Sequence, residues 1–325
     1  MKFEASLPAP FSFLIKTAKK PVRFCLNLRD KPPAKFEGGL AVNLLGYQVA
    51  RTLVKRTATA LRPRGTVSRE SQKYLKSLDQ DGIVSIPNFF SEADFSSLRS
   101  EFEKLYPHFN VYPIKNSRSC YKKFNGTENA QSPVIRKLFH ENKLIYELAQ
   151  AVSRRAIHAT PEVAYFEWLC AEEEIGKPHQ FDHEDMLHYD VPYSTVKVFF
   201  YLNDVDEKNG AFTYLPGSNR LSLARLKYDY KLSVDHFKNR VGRVAEGHYE
   251  PSESELREMG IHEKPMTGKK NTLIIANNLG FHKRQPFYNS QPRQIVYLNF
   301  RYLETLGNRF PFLGGPYAHK KTRGV

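Results

Sequence analysis

Apolar residues recur at helical spacing in the first half of the chain and at strand spacing in the second half. In the first half they return every three or four positions, which places them on one helix face. Such stripes occur at 40–57, 69–78, 91–105 and 133–152. Short β-branched and aromatic runs bounded by turn residues predict strands instead. These runs lie at 83–86, 163–169, 195–205, 211–215 and 271–276. The chain is thus predicted to open with helices and then build a sheet.

Capping residues sharpen the helix boundaries. A serine side chain can accept a hydrogen bond from the first turn of a helix, and Ser91 has that position. Proline is favoured at the first helical position, so Ser132-Pro133 predicts another start. Gly82 is expected to close the helix that begins near Arg69. The expected buried stripes are Phe95, Leu98, Phe102 and Leu105 in one helix, and Val134, Leu138, Ile145, Leu148 and Val152 in the next.

The segment 40–57 is predicted to be an amphipathic helix. Its apolar positions are Leu40, Leu44, Leu45, Val49, Leu53 and Val54. Arg51, Lys55 and Arg56 crowd its end, where cations interact well with the negative helix terminus. Two interpretations stay open. The helix either packs on the flank of the domain, or it contacts a membrane surface or a partner.

Candidate chemistry is concentrated in the ten residues 181–190, which hold two histidines and four carboxylates. If His188-x-Asp190 is extended, both side chains point to one side of the sheet and can meet a single ion. A lone histidine far downstream, His282, can supply a third ligand. Two histidines and one carboxylate hold Fe(II) and leave coordination positions open.

A second tripeptide of the same form, His183-x-Asp185, lies five residues upstream. Because five is odd, the two tripeptides would face opposite sides of a continuous strand, and both cannot line one cavity. We favour His188 and Asp190 because the long strand follows them directly. The upstream pair remains the alternative.

Further motifs accompany the three candidate ligands. Turns are predicted at Asn209-Gly210 and at 216–218, and Arg293 opens a strand eleven residues after His282. The order of the three candidate ligands, the two turns and the position of the arginine all match one known family. In these features the chain resembles the phytanoyl-CoA dioxygenase family of Fe(II)- and 2-oxoglutarate-dependent oxygenases. The resemblance extends over 71–302 and is most specific over 188–293.

The resemblance implies a mainly β fold with helical additions, namely a double-stranded β-helix or jelly roll flanked by N-terminal helices. It implies that His188, Asp190 and His282 bind Fe(II), and that Arg293 pairs with the far carboxylate of 2-oxoglutarate. Halogenating relatives lack the carboxylate found here at position 190, so the resemblance implies a hydroxylase. The expected reaction hydroxylates a C–H bond of a small or lipid- or sugar-linked substrate and converts 2-oxoglutarate to succinate. Arg284 departs from the family, several members of which have a small hydroxyl residue there.

Lys197 is in phase with Phe199 and Tyr201 on the predicted central strand. It either faces the cavity and helps to hold the cosubstrate carboxylate, or caps the edge of the sheet. Another basic segment, 112–126, has two interpretations as well: a solvated loop, or a loop that binds an anionic group.

Charge is distributed unevenly along the 325 residues. The net charge is +15, and residues 1–70 contribute +10 of it. We therefore predict a basic N-terminal extension, 1–68, followed by an oxygenase domain, 69–325. The extension is expected to address the enzyme to an anionic membrane surface. Because the excess charge lies outside the predicted domain, a nucleic-acid-dealkylating oxygenase is the lower-ranked alternative. A catalytically inactive jelly-roll binding module is the other, and the intact candidate site argues against it.

Cysteine content and hydropathy bear on location. Cys25, Cys120 and Cys170 are widely spaced and form no Cys-x-x-Cys pair, which favours a reducing compartment. No run of about eighteen apolar residues occurs, so no spanning helix is predicted. We expect a cytoplasmic protein, either soluble or peripheral at a membrane surface.

Overall fold

The computed structural model describes residues 39–113, 119–124, 132–154, 164–171, 186–190, 194–239, 250–287 and 291–300. The helices are α1 (Leu40–Leu44), α2 (Tyr47–Ala60), α3 (Arg69–Gln80), α4 (Glu92–Leu105), α5 (Pro133–Ile135), α6 (Lys143–Ser153), α7 (Leu223–Asn239) and α8 (Glu253–Met259). The strands are β1 (Ile83–Ile86), β2 (Asn110–Pro113), β3 (Ser119–Phe124), β4 (Ala164–Ala171), β5 (Val196–Tyr201), β6 (Phe212–Tyr214), β7 (Lys264–Pro265), β8 (Leu273–Asn277), β9 (His282–Arg284) and β10 (Arg293–Phe300).

These strands form two antiparallel sheets. The larger has the order β1-β8-β5-β10-β4-β3-β2 and the smaller the order β7-β6-β9. Side chains alternate along each strand, so each face of the large sheet has its own core. Val198 and Phe200 of β5 belong to the core shared with the helices, whereas Phe199 and Tyr201 belong to the core shared with the small sheet. Because β5 is covered on both sides, all six of its residues are buried.

Several predicted elements are confirmed. The Ser91 hydroxyl accepts a hydrogen bond from the Asp94 N–H (3.2 Å) at the start of α4. All four residues of the predicted α4 stripe are buried. Gly82 follows α3 with φ of 78°, a left-handed conformation that favours glycine. The helical content is higher than expected, because among the described residues helices contribute more than strands.

The helix expected over 133–152 is broken in two. After α5 the chain makes a π-helical turn over Arg136–His140 and then leaves the helix. Asn142 starts α6, and its side-chain oxygen accepts a hydrogen bond from the Ile145 N–H (3.1 Å). This side-chain acceptor caps a new helix instead of continuing the old one. The predicted stripe survives the break, since all its members are buried except the half-buried Val134.

The segment 40–57 forms two helices, α1 and α2, separated at Gly46 (φ 83°). Both pack against α7, and the buried residues of α2 are polar. Gln48, Arg51, Thr52 and Lys55 are buried, whereas Leu44, Leu45, Leu53 and Val54 are exposed. The spacing therefore predicted helical structure, and the docking of the segment reversed the expected inward face.

Some predictions concern residues outside the described part of the chain. These are residues 1–38 of the predicted basic extension, the upstream tripeptide at 183–185, and Lys115 and Arg118 of the basic loop. Of the helices in the described ranges, none combines the length and hydrophobicity needed to cross a bilayer.

Candidate metal centre

The two candidate histidines are brought together by backbone pairing. His188 and His282 form an isolated antiparallel bridge, in which each N–H donates to the carbonyl of the other (2.9 and 2.7 Å). Residues opposite each other in such a bridge project to the same side. The two imidazole ring centres accordingly lie 4.6 Å apart.

Each imidazole is oriented by a carbonyl two residues before it. His188 Nδ1 lies 2.7 Å from the Met186 oxygen, and His282 Nδ1 lies 3.0 Å from the Gly280 oxygen. A carbonyl only accepts hydrogen bonds, so Nδ1 carries the proton in both rings and Nε2 presents its lone pair. This is the tautomer that a metal-binding histidine needs.

The two carboxylate oxygens of Asp190 have different partners. Oδ1 lies 3.7 Å from His188 Nε2 and 3.5 Å from His282 Nε2. Oδ2 accepts a hydrogen bond from Asn278 Nδ2 (2.8 Å) and lies 3.2 Å from Lys197 Nζ. Asn278 and Lys197 thereby hold the carboxylate with Oδ1 turned toward the histidines.

Electrostatics keeps this carboxylate ionised. Burial by itself would raise the pKa of Asp190, but the Lys197 ammonium and then the two histidines outweigh it and hold the pKa well below its ordinary value. A carboxylate must be deprotonated to bind a metal ion. The site therefore presents an anionic ligand at neutral pH.

The donor set fits a transition-metal ion. The ligand atoms of His188, Asp190 and His282 all lie within 4.8 Å of one another. Two donors that each bind one ion at about 2.1 Å are separated by about 3–4 Å, which the Oδ1 to Nε2 distances match. Two imidazoles and one carboxylate are the donors of the iron-binding facial triad.

Lys197 is buried on the internal strand β5, so it does not cap a sheet edge. Its Nζ lies 3.2 Å from Asp190 Oδ2 and 3.2 Å from His282 Nε2. Lys197 therefore belongs to the immediate surroundings of the candidate ligands.

Arg293 occupies the other end of the same interior. It is buried, and its Nη1 donates to the Gly210 carbonyl (2.5 Å) within the predicted Asn-Gly turn. On β10, Arg293 lies six residues before Asn299, and Asn299 pairs with Lys197 of β5. Six residues correspond to roughly 20 Å along a strand. Arg284 is buried two residues after His282 on β9 and therefore faces the same side as His282.

The family model for phytanoyl-CoA dioxygenase (PhyH) matches residues 78–294. The chain belongs to the PhyH family. Membership confirms the expected enzyme class and cofactors, an oxygenase that uses Fe(II) and 2-oxoglutarate. It also implies a cupin-like jelly roll, with which the two antiparallel sheets agree.

Three solved structures are among those similar to this PhyH-family chain. EctD from S. alaskensis with bound Fe has 18% identity and a TM-score of 0.47 over 74% of this chain and 79% of that chain. HygX from Streptomyces hygroscopicus with nickel and 2-oxoglutarate has 16% identity and a TM-score of 0.45 over 74% and 90%. AviO1 from Streptomyces viridochromogenes Tue57 has 12% identity and a TM-score of 0.45 over 74% and 98%. No curated protein matches the sequence.

A buried ion pair lies beside the residues that adjoin the candidate ligands, and it was not predicted. Arg225 Nε donates to Asp229 Oδ1 (3.1 Å), and both side chains are almost fully buried. The guanidinium lies 4.3 Å from the Tyr189 ring centre and 4.4 Å from the Phe281 ring centre. These aromatic residues directly adjoin the ligands in sequence. In the sequence, the interval 221–268 is weakly patterned. The only indication of this pair is that Arg225 and Asp229 lie four residues apart, and opposite charges at that spacing are common on helix surfaces.

The distal histidine also depends on a close packing contact. A Cβ at Gly280 would overlap the Tyr214 hydroxyl and would lie 2.8 Å from Ser218 Oγ. Ser218 Oγ in turn accepts a hydrogen bond from the Phe281 N–H (2.8 Å). The predicted turn at 216–218 therefore packs directly on the loop that carries His282, and only glycine fits at position 280.

Proposed function

We propose that this PhyH-family protein is an Fe(II)- and 2-oxoglutarate-dependent hydroxylase acting on a C–H bond of a small or lipid- or sugar-linked substrate. The observation that carries the proposal is the convergence of two Nε2 atoms and one carboxylate oxygen on a single point. With 2-oxoglutarate and O2, bound Fe(II) supplies an oxidation that releases succinate and CO2 and adds one oxygen atom to the substrate.

The protein residues then have separate roles. His188, Asp190 and His282 bind the metal ion, and the carbonyls on both Nδ1 atoms keep the rings oriented. Asn278 and Lys197 hold Asp190 Oδ2, which keeps Oδ1 toward the metal position. The acid at position 190 supports hydroxylation, because it occupies the place that a halide would need.

Cosubstrate binding is proposed to use the cations of the sheet interior. Arg293 offers a guanidinium fork that matches a carboxylate, and we assign it to the far carboxylate of 2-oxoglutarate. Lys197 lies beside the ligands, so we assign it to the keto acid end. Arg284, buried on the His282 side of β9, is the alternative anchor.

Arg293→Leu is expected to raise the 2-oxoglutarate concentration needed for half-maximal succinate formation by about 10- to 150-fold. Losing a charge-assisted contact costs about 1.5–3 kcal/mol, which corresponds to that range. Succinate release measured against 2-oxoglutarate concentration checks it, with Arg284→Leu and Lys197→Met as comparison variants. If Arg293→Leu left the required 2-oxoglutarate concentration unchanged and a comparison variant raised it, the residue changed in that variant would be the anchor instead.

The reaction itself is tested by succinate release against a panel of lipids, sugars, acyl-CoAs and amino acids. A substrate should raise succinate formation above the uncoupled rate and gain one oxygen atom by mass spectrometry. An alkylated oligonucleotide belongs in the panel, since stimulation by it alone would favour nucleic-acid dealkylation. Absence of both Fe(II) binding and succinate formation would favour an inactive binding module.

We further propose that residues 1–68 form an extension that brings the domain 69–325 to an anionic membrane surface. Within the described residues, the large apolar side chains that remain exposed belong to two segments: Leu44, Leu45, Leu53, Val54 and Leu61 in one, and Leu221, Leu223 and Tyr230 in the other. The segments adjoin, because the Tyr230 hydroxyl donates to the Leu44 carbonyl (3.0 Å). Apolar side chains beside a segment of net charge +10 suit a peripheral membrane contact.

A chain beginning at Ser68 is expected to lose salt-sensitive co-sedimentation with anionic vesicles and to keep uncoupled 2-oxoglutarate decarboxylation. Each well-placed cation contributes up to about 1 kcal/mol at such a surface. Because α2 packs on α7, the full chain with Leu45→Asp and Leu53→Asp serves as a second variant. Undiminished vesicle binding by both variants would contradict the proposal. An insoluble truncated chain would indicate that the segment is a packed part of the fold.

A further inference from the structure

A cavity of about 220 Å³ lies between the C-terminal half of α2 and the domain it packs against. Its wall contains four arginines and one aspartate: Arg56, Arg64, Arg154, Arg220 and Asp79. Asp79 accepts two hydrogen bonds from Arg64 (2.8 and 2.5 Å), so these two charges neutralise each other. The remaining three arginines form no ion pair with any acid in the described parts of the chain. The wall therefore carries a net charge of +3.

Arg56 is the guanidinium most enclosed by this cavity wall. Its Nη1 donates to the Asn219 carbonyl (2.7 Å), whereas Nε and Nη2 are buried and lack a hydrogen-bond partner among the described residues. Thr59 Oγ1, one helical turn further on, is buried in the same wall and also lacks one. Buried donors without acceptors are unfavourable, and an anion would satisfy them.

The other two arginines that are unpaired within the described residues, Arg154 and Arg220, line the same cavity. Arg154 Nη1 donates to the carbonyls of Ala60 (2.6 Å) and Arg62 (3.1 Å), which holds it against the end of α2. Arg220 is exposed and lies over Gly217 at the cavity. Burial, and next the nearby Arg225 guanidinium, lowers the pKa of Arg56 to about 10, so it stays protonated near neutral pH.

We propose that this cavity binds a phosphate-type anion, presented either as a free phosphate compound or as a lipid headgroup. Guanidinium forks match the oxygens of a phosphate, and Ser194 adds a hydroxyl to the wall. Pockets for drug-sized ligands measure about 300–1,000 Å³. The smaller cavity here suits one phosphate group.

The cavity and the metal centre lie on either side of one loop. Asn277 and Leu279 line the cavity, and the residue between them, Asn278, donates to the metal ligand Asp190 (2.8 Å). An anion bound to α2 and to this loop stabilises the docking of α2, since it binds only the docked arrangement.

The test is calorimetric titration of the full-length protein with inorganic phosphate at constant ionic strength, with chloride as the reference anion. Arg56→Gln and Arg220→Gln should each weaken phosphate binding at least about tenfold, as expected for one lost charge-assisted contact. Arg56→Lys should restore part of the affinity, because it returns the charge without the fork. Arg257→Gln is the matched control, since Arg257 is exposed on α8 and paired with Glu253 (3.2 Å).

A parallel titration with phosphatidic acid vesicles separates the two sources of phosphate. Saturable binding of inorganic phosphate that depends on Arg56 and Arg220 supports a free ligand. Binding only to vesicles, with the same dependence, supports a headgroup. Because Arg220 is exposed, Arg220→Gln should fold normally even if Arg56→Gln releases α2. The proposal would be overturned if the wild type and both glutamine variants bound equally well, or if the wild type bound neither inorganic phosphate nor vesicles saturably.

Discussion

Asp190→Ala is expected to abolish Fe(II) binding and 2-oxoglutarate turnover. Oδ1 of this residue is the only carboxylate oxygen at the convergence of the two Nε2 atoms among the described residues. Loss of a residue that merely orients a metal ligand costs about 10- to 100-fold in metal affinity or activity, so loss of the ligand itself should cost more than about 100-fold. His188→Ala and His282→Ala should behave in the same way.

Anaerobic Fe(II) titration provides the measurement, with uncoupled succinate formation as the second readout. Asp190→Ala also removes the carboxylate that pairs with the buried Lys197 ammonium. The double variant Asp190→Ala with Lys197→Met removes both charges and therefore controls for this effect. His183→Ala is the matched control from the alternative tripeptide and should bind Fe(II) normally. Full Fe(II) binding by both His188→Ala and Asp190→Ala would contradict the assignment. Loss of binding in His183→Ala instead would favour the upstream tripeptide.

Arg225→Met is expected to lower the free energy of unfolding by about 3–5 kcal/mol. Removing one partner of a buried ion pair leaves the other charge in a medium that cannot solvate it. Asp229 would lose its ion-pair partner at a fully buried position, and the Tyr189 and Phe281 rings would lose the cation beside them. Both rings adjoin metal ligands, so Fe(II) affinity should fall as well.

Urea denaturation checks this result. The double variant Arg225→Met with Asp229→Leu should recover most of the lost stability, because two apolar side chains can replace a buried pair at little cost. Arg257→Met breaks an exposed pair of the same spacing with Glu253 and should change stability by less than about 1 kcal/mol. A loss below about 1 kcal/mol in Arg225→Met would contradict the structural role of the pair.

Local patterning along the chain determined much of this fold and site. The stripe from Phe95 to Leu105 and the cap at Ser91 follow from rules that act within a few residues. The period of two along a strand is sufficient to place His188 and Asp190 on one side. His282 was identified as a lone histidine far downstream and Arg293 by its position eleven residues after it, and their assigned roles remain predictions.

Longer-range contacts determined what these rules left open. The sequence contained two tripeptides of the form His-x-Asp, and backbone pairing with His282 involves the downstream one. Lys197 had two interpretations, and the internal position of β5 put its ammonium beside Asp190. Asn278 gave no signal, because its role depends on a carboxylate that only the folded sheets bring near.

The sequence by itself therefore determined the periodic elements, their caps and the same-side pair of ligands, since each depends on neighbours along the chain. The tertiary structure alone decided which face of α2 is buried, where the helix after Pro133 breaks, and how Arg225 and Asp229 pair behind the ligands. It also decided that Arg56, Arg154 and Arg220 line one cavity. Such placements depend on burial and charge among residues far apart in sequence, and no local period encodes them.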